Sequence, residues 1–229
     1  SNAIANTTTT TQTYTTASCI ASSAIPLLAS STYPWCDTAD IIVCTWNNTW
    51  YTLSACNVWT NTAWLTASSY GWYYQWWRNE NANWAFISSP YSWTLTNWNV
   101  WNNNFYAWDS TYWDWWQNEA WSTNTRWTWI NPQWPCSSWY HVPSQPEWQE
   151  LGWLWWNNWP SMQNALKLPF AGYRDWFSGN YYDQLTGATY WSSSPSGNYA
   201  FNLSFNTGYF SPAVVNNREH GFSVRCIKN

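Results

Sequence analysis

Charge is the scarcest property of this chain. Only 8% of its 229 residues are Asp, Glu, Lys or Arg, against roughly 25% in ordinary globular domains. The seven basic residues form no run and the net charge is -4, so the footprint for binding nucleic acid or an anionic membrane surface is missing. No apolar stretch approaches the ~20 residues of a membrane span. Surface polarity must therefore come from Asn, Ser, Thr, Gln and Tyr.

Patterns typical of metal sites are also missing. There are two His, and the six Cys contain no pair at CxxC spacing, which argues against zinc. An even number of Cys in a chain with few charges favours disulfides and an oxidising compartment. Buried free thiols are the alternative. The cysteines are Cys19, Cys36, Cys44, Cys56, Cys136 and Cys226.

The chain has few glycines and many tryptophans. The chain has 8 Gly and 28 Trp, whereas average usage predicts roughly 16 Gly. Several Trp stand where a turn would need Gly, as in Asn48-Thr49-Trp50, Gln133-Trp134-Pro135 and Asn158-Trp159-Pro160. Three interpretations remain open: a glycan-binding surface of indoles, an unusually aromatic core, or UGA codons that mean Gly in the source and are translated as Trp in this sequence. We hypothesise that roughly half of the Trp arise by the third route, because turns need the φ > 0 that Gly supplies.

The chain divides into an arm and a domain. Ser1-Asn2-Ala3 is typical of a cleaved expression tag, and residues 7–16 are Thr-rich. We therefore assign residues 1–33 to a tag scar and extended arm, and residues 34–229 to one domain with a Cys-rich β lead-in at 34–60. Short strands are expected at 41–44, at 50–53 and around 73–76.

Two helices and a two-residue period follow. Ser144 and Glu147 form a capping box with Pro146 in the first turn, and Ser161 can cap a second helix that ends before Pro169. Residues 198–206 then alternate, which predicts a buried face and a wet face. The wet face would carry Asn202, Ser204 and Asn206, and residues 221–227 would form one final strand. Helices followed by antiparallel strands indicate an α+β fold.

Three segments in this region resemble one bacterial family. Residues 135–148 (PCSSWYHVPSQPEW), 190–194 (YWSSS) and 221–226 (GFSVRC) are similar to signatures of the Fibrobacter succinogenes major paralogous domain. The resemblance covers about residues 130–229. Trp134 and Trp139 stand where the family carries Gly, which supports the codon hypothesis.

The resemblance implies a C-type-lectin-like fold related to that of the formylglycine-generating enzyme. Such a fold has two helices packed on short antiparallel sheets and long loops, with both chain ends in a core sheet. It also implies a disulfide between Cys136 and Cys226. Closing a loop of that length would stabilise the fold by about 4 to 5 kcal/mol in the chain-entropy treatment.

The sequence predicts no catalytic site and no required cofactor. We interpret His141, His220 and Ser144 as structural residues, and Glu147 and Glu150 as residues of one helix surface rather than opposed carboxylates across a cleft. No cysteine pair matches the copper site of formylglycine-generating relatives. A Ca²⁺ site would need Asp109, Asp114 and Glu119, whose spacing matches no compact calcium loop.

The candidate ligand-binding residues lie between positions 192 and 217. Their mix of Tyr, Ser and Asn is the composition of adaptable binding surfaces. The alternative is a polar sheet face with turns and no ligand. C-type-lectin-like proteins are frequent targets of diversity-generating retroelements, whose adenine mutations convert Asn codons to Tyr, Ser or Asp codons. The candidates are Ser194, Ser196, Asn198, Tyr199, Asn202, Ser204, Asn206, Tyr209, Ser211, Asn216 and Asn217.

We expect an exported receptor- or adhesin-like module on the cell surface that holds a protein or glycan ligand. It would bind no nucleic acid and would not insert into a membrane. Two alternatives stay open: a structural envelope module, which the Thr-rich arm favours, and an enzyme of the formylglycine-generating or hydrolytic kind.

Overall fold

The computed structural model describes residues 27–29, 31–76, 86–88, 105–107, 135–155 and 159–229. Within them lie two α-helices, α1 (Gln145–Trp153) and α2 (Trp159–Leu166), and a 3₁₀ turn at Ala67–Ser69. The strands are β1 (Leu27–Leu28), β2 (Ile41–Cys44), β3 (Trp50–Asn57), β4 (Tyr74–Gln75), β5 (Phe86–Ser88), β6 (Phe105–Ala107), β7 (Tyr140–His141), β8 (Tyr173–Arg174), β9 (Tyr181–Tyr182), β10 (Gly187–Ser196), β11 (Tyr199–Asn206), β12 (Phe210–Asn217), β13 (Gly221–Phe222) and β14 (Arg225–Lys228). Two helices with three antiparallel sheets confirm the expected α+β class.

One antiparallel sheet joins early and late parts of the chain. Its order is β1-β2-β3-β14-β7, so the last strand lies between β3 and the strand that leads into α1. β1 pairs with β2 although it precedes the predicted domain start at residue 34. Disulfides Cys36–Cys56 and Cys136–Cys226 cross-link this region, and Cys44 is disulfide-bonded as well. The pair Cys136–Cys226 is the one that the resemblance implied.

A buried carboxylate ties the first part of this sheet to β7. Asp40 is fully buried and accepts hydrogen bonds from the Ser31 hydroxyl at 2.8 Å, the Tyr33 N–H at 2.9 Å and the Tyr140 hydroxyl. Charge-assisted bonds of this kind compensate the loss of hydration that burial imposes on a carboxylate.

The capping box predicted from the sequence is present. Ser144 Oγ accepts from the Glu147 N–H, and the Glu147 carboxylate accepts from the Ser144 N–H at 2.7 Å. The following helix buries Trp148 and Leu151. Gly152 lets β12 approach, because a Cβ at that position would overlap the ring of Phe210. The second helix begins at Trp159, before Ser161, so the prediction that Ser161 is its N-cap is wrong.

The three-stranded sheet β10-β11-β12 separates two hydrophobic clusters. Tyr190, Leu203 and Phe205 face the first cluster, which they share with Trp148 and Ile227. Trp191 and Ala200 face the second cluster with Phe222, Val224 and Cys226. Alternate residues of the sheet therefore enter different cores, and both of its faces are covered along much of their length.

The predicted single strand at 221–227 is instead two strands in different sheets. β13 belongs to the four-stranded sheet β4-β13-β8-β9, whereas β14 belongs to the five-stranded sheet. Phe222, Val224 and Cys226 nevertheless share the second cluster, as their alternation predicted. β5 and β6 form a separate parallel pair.

Candidate functional site

The structure divides the candidate ligand-binding residues between two ends of one sheet. At one end, a two-residue hairpin joins β10 to β11, and Tyr199 pairs with Asn217 while Ala200 pairs with Asn216. At the other end, Asn206 begins the turn that leads to Phe210. Tyr199 and Asn206 bound the same strand, so at about 3.3 Å per residue the two ends lie about 23 Å apart.

We call the first group the hairpin end and the second the turn end. The hairpin end comprises Ser194, Ser196, Asn198, Tyr199, Asn216 and Asn217, and the turn end comprises Ser204, Asn206, Tyr209 and Ser211. Asn198, Asn206 and Tyr209 are exposed, and the other members of both groups are half-buried. A small ligand can contact one of these groups but cannot span both.

A buried arginine supports the hairpin end. Arg218 Nε donates to the Tyr199 carbonyl at 3.1 Å, and its Nη2 donates to the Gly197 carbonyl at 2.6 Å. The guanidinium lies 4.3 Å from the ring centroid of Trp76, which in turn donates to the Ser192 carbonyl. These contacts fix the backbone of the hairpin, as a preorganised binding loop requires. The amino-acid sequence did not reveal this role of Arg218, whose only local signal is its position directly after the Asn216-Asn217 pair.

Ser194 serves the scaffold as well as the hairpin end. Its hydroxyl oxygen accepts a hydrogen bond from the Gln145 N–H at 3.0 Å. That N–H is one of the first in α1 and has no partner within the helix. Ser194 therefore connects β10 to the start of α1.

The turn end is organised by Asn206. Its Oδ1 accepts from the Gly208 N–H at 2.8 Å, and its own N–H donates to the Tyr209 carbonyl at 2.9 Å. This Asx-type arrangement shapes the turn, and Tyr209 is 47% exposed. Ser204 and Ser211 face each other across the adjoining strands.

Asn202 does not lie on a wet face, and that part of the prediction is wrong. The residue is fully buried, and its Nδ2 donates to the Val214 carbonyl at 3.1 Å. Its cross-strand neighbour Trp191 is buried in the second cluster. Ser204 is half-buried and Asn206 is exposed, so the polar face becomes accessible only toward the turn end. A buried Asn in the centre of the sheet cannot contact a ligand on the surface.

His141 and Glu147 are part of the scaffold. His141 Nε2 lies 3.0 Å from a Glu147 oxygen, and Nδ1 lies 2.6 Å from Asn229 Oδ1. Burial opposes charging of the imidazole, but the bonds to Glu147 and Asn229 outweigh it and raise the pKa of His141. Burial likewise opposes ionisation of Glu147, yet the contacts with His141 and Ser144 lower its pKa. The group connects the chain terminus to the start of α1.

Glu150 ties α1 to the β2–β3 hairpin. Its carboxylate accepts hydrogen bonds, each at 3.2 Å, from the Thr45 hydroxyl, the Asn47 amide and the Tyr51 hydroxyl. Partial burial and the neighbouring Glu150 charge raise the pKa of Tyr51 to about 12. These three bonds join a helix to a hairpin, which is a structural role.

His220 is buried among aromatic rings. It stacks on Phe222 at 5.3 Å between ring centroids and meets the edge of Tyr173 at 5.6 Å. Burial lowers the pKa of His220 to about 4, so the ring is neutral at physiological pH. Its Nδ1 has no hydrogen-bond partner among the residues that the structure describes. No nucleophile lies among these ring contacts.

Potential metal ligands cluster at one place in the described part of the chain. The one clustered donor set there is Cys36, Asp37 and Cys56, and its two sulfur atoms are joined in a disulfide. Asp109, Asp114 and Glu119, the residues that a Ca²⁺ site would use, lie outside the described residues.

Comparison with known proteins returned no relatives. The chain matches no family model, no curated protein and no solved structure. Among the described residues, neither helix has the length and apolar character needed to cross a membrane.

Proposed function

We propose that this protein is an exported, non-catalytic binding module of the Fibrobacter succinogenes major paralogous type with a C-type-lectin-like fold. It acts as a receptor- or adhesin-like protein that presents polar and tyrosine side chains near its carboxyl end to a protein or glycan. The observation that carries the proposal is the contrast between a closed scaffold and open turns. The Cys136–Cys226 disulfide and the five-stranded sheet join early and late parts of the chain. In contrast, Asn198, Asn206 and Tyr209 are exposed.

The segments that carry the family resemblance supply much of the scaffold. Tyr190 and Trp191 are buried on opposite faces of β10, and residues 221–226 contribute to two sheets. Apart from Ser194, the residues of the two exposed ends lie between these segments. Such a division suits a module in which surface residues vary while the core stays constant.

We further propose that the variable positions arise from a diversity-generating retroelement. Their Asn, Ser and Tyr residues are connected by single adenine changes in the codon. Exposed and half-buried positions tolerate such changes, whereas Asn202 would not, because its amide is buried between two strands. A reverse transcriptase gene nearby, together with a near-copy of this segment that differs only at adenines, would support the idea. The absence of both would overturn it.

The exposed position Tyr209 allows a direct test of binding. Labelled protein would be screened on a glycan array and on immobilised bacterial surface proteins, and each ligand found would be titrated with Tyr209→Ser. We expect a loss of affinity of roughly tenfold or more, because an exposed Tyr contributes contact area at low entropic cost. Tyr182→Ser is the matched control, since Tyr182 is 44% exposed and belongs to a different sheet, through β9.

Two outcomes would count against the proposed site. The first is an equal loss of affinity in the Tyr209 and Tyr182 variants. The second is a ligand whose affinity is unchanged by Tyr209→Ser and also by Asn198→Ala at the hairpin end. A thermal melt of each variant distinguishes loss of binding from loss of folding, and we expect midpoints close to that of the wild type because these side chains are exposed.

A further inference from the structure

Among the residues that the structure describes, three tryptophans occupy a backbone conformation that suits glycine. Trp35 has φ 73°, Trp59 has φ 63° and Trp139 has φ 71°. The same left-handed region holds Gly71, Gly172, Gly179 and Gly197, with φ between 57° and 69°, and also Asn48, Lys167, Asp183 and Leu185. A Cβ crowds the following carbonyl there, and a bulky side chain in this region is an outlier.

All three tryptophans hold the same position in a hydrogen-bonded turn. The Cys36 N–H donates to the Tyr33 carbonyl at 3.0 Å, so Trp35 is the third of four turn residues and follows Pro34. The bond from the Tyr140 N–H to the Ser137 carbonyl at 3.0 Å places Trp139 likewise. φ > 0 at the third position is the pattern of a type II turn, whose third residue is normally Gly or Asn and whose second is often Pro. The second residue is Pro34 in the first turn and Ser138 in the other.

Trp59 repeats the pattern in a third turn. The Thr60 N–H donates to the Asn57 carbonyl at 3.3 Å, and Val58 and Trp59 are the two central residues. Trp59 is 52% exposed and stacks on Trp72. Trp35 and Trp139 are 73% and 77% exposed. None of the three indoles is buried, so the left-handed conformation is not offset by core packing.

Other tryptophans show the opposite behaviour. Trp76, Trp148 and Trp191 are buried, and each indole N–H donates to a backbone carbonyl. Trp50 and Trp159 follow turn-like sequences, but they begin β3 and α2, and for Trp50 this agrees with the strand expected at 50–53. Turn geometry therefore sorts the tryptophans more sharply than sequence context.

We infer that positions 35, 59 and 139 are glycine in the natural protein, encoded by UGA codons that its source reads as Gly. The buried Trp148 and Trp191 are genuine tryptophans, encoded by UGG. The inference is independent of the proposed ligand-binding role. It removes three exposed indoles from the surface and leaves both ends of the β10–β12 sheet unchanged.

The gene sequence and the protein from its source provide the test. We expect UGA at codons 35, 59 and 139, and peptide masses that contain Gly at those positions but Trp at 148 and 191. UGG at codons 35, 59 and 139, or peptides that carry Trp there, would overturn the inference. UGA at codon 148 or 191 would also overturn the geometric criterion.

A second measurement tests the backbone argument alone. Trp139→Gly and Trp35→Gly, made in the protein as written, should each raise the urea midpoint of unfolding. The matched control is Trp64→Gly, because Trp64 is 70% exposed and its φ lies outside the left-handed region. That variant should leave the midpoint unchanged or lower it. A lowered midpoint in all three variants would contradict the turn assignment.

Discussion

Replacing His220 with Phe should make the protein less sensitive to acid. In the folded state the imidazole is stacked on Phe222 and is nine-tenths buried, which lowers its pKa from 6.5 to about 4. The imidazole therefore takes up a proton near pH 6.5 in the unfolded chain but only near pH 4 in the folded protein. Because the unfolded state binds more protons in this window, the free energy of unfolding falls as the pH falls.

The expected effect follows from the gap between the two pKa values. Between pH 7 and pH 5, about 1.5 pH units lie below the unfolded pKa of 6.5. Over these units the free energy of unfolding falls by about 1.4 kcal/mol per unit, because only the unfolded imidazole is protonated. His220 thus removes about 2 kcal/mol of stability from the wild type between these pH values. Phe fills the same stacked position and does not titrate, so the variant should keep that 2 kcal/mol. It loses only the hydrogen bond to the Arg174 backbone, which acts at every pH.

Urea unfolding at pH 7, 6 and 5 measures the difference. The change in unfolding free energy from pH 7 to pH 5 should be about 2 kcal/mol smaller in His220→Phe than in the wild type. Parallel loss of stability in the two proteins would refute the reasoning. Such a result would mean that His220 is solvated or can take up a proton in the folded state.

Two further predictions concern other buried or partly buried charges. The pKa of His141 is raised in the folded state, so its contribution to stability is fully present below pH 6.5 and is lost as the pH rises through the folded pKa. The wild type therefore gains this contribution on going from pH 7 to pH 5, and His141→Gln, which lacks it, should lose more stability than the wild type over that range. An equal or smaller loss in the variant would contradict the contact with Glu147. Arg225→Met should lower the free energy of unfolding by about 3 to 5 kcal/mol in urea, because Arg225 donates to Asn57 Oδ1 and to the carbonyls of Ser54, Leu166 and Lys167. The exposed Lys228 offers the control Lys228→Met, and an equal effect of both substitutions would show that these four bonds contribute nothing.

Local patterns in the sequence predicted local structure well. The Ser144–Glu147 capping box and the strand at 41–44 are both present. Each depends on hydrogen bonds or alternation within a few residues, which the sequence displays directly. The many Trp and few Gly likewise indicated that some turn positions that need φ > 0 lack a Gly. It did not single out Trp35 and Trp59, because only the hydrogen bonds of the folded turns identify them.

Predictions that depended on packing between distant segments were wrong in part. Alternation along β11 implied one wet face, but Asn202 is buried because β11 lies between two clusters built from residues far apart in sequence. The segment 221–227 has one alternating pattern, yet its two halves pair in different sheets. A strand's pattern shows which residues share a side, and only tertiary packing decides what covers that side.

The amino-acid sequence by itself determined the α+β class, the start of the first helix and the absence of a strongly basic surface. The resemblance that it carries also implied the Cys136–Cys226 pairing. Only the tertiary structure decided that the candidate ligand-binding residues form two groups about 23 Å apart along one strand. The physical reason is that composition marks a segment as polar and adaptable, whereas strand direction and register determine which of its side chains can meet the same ligand.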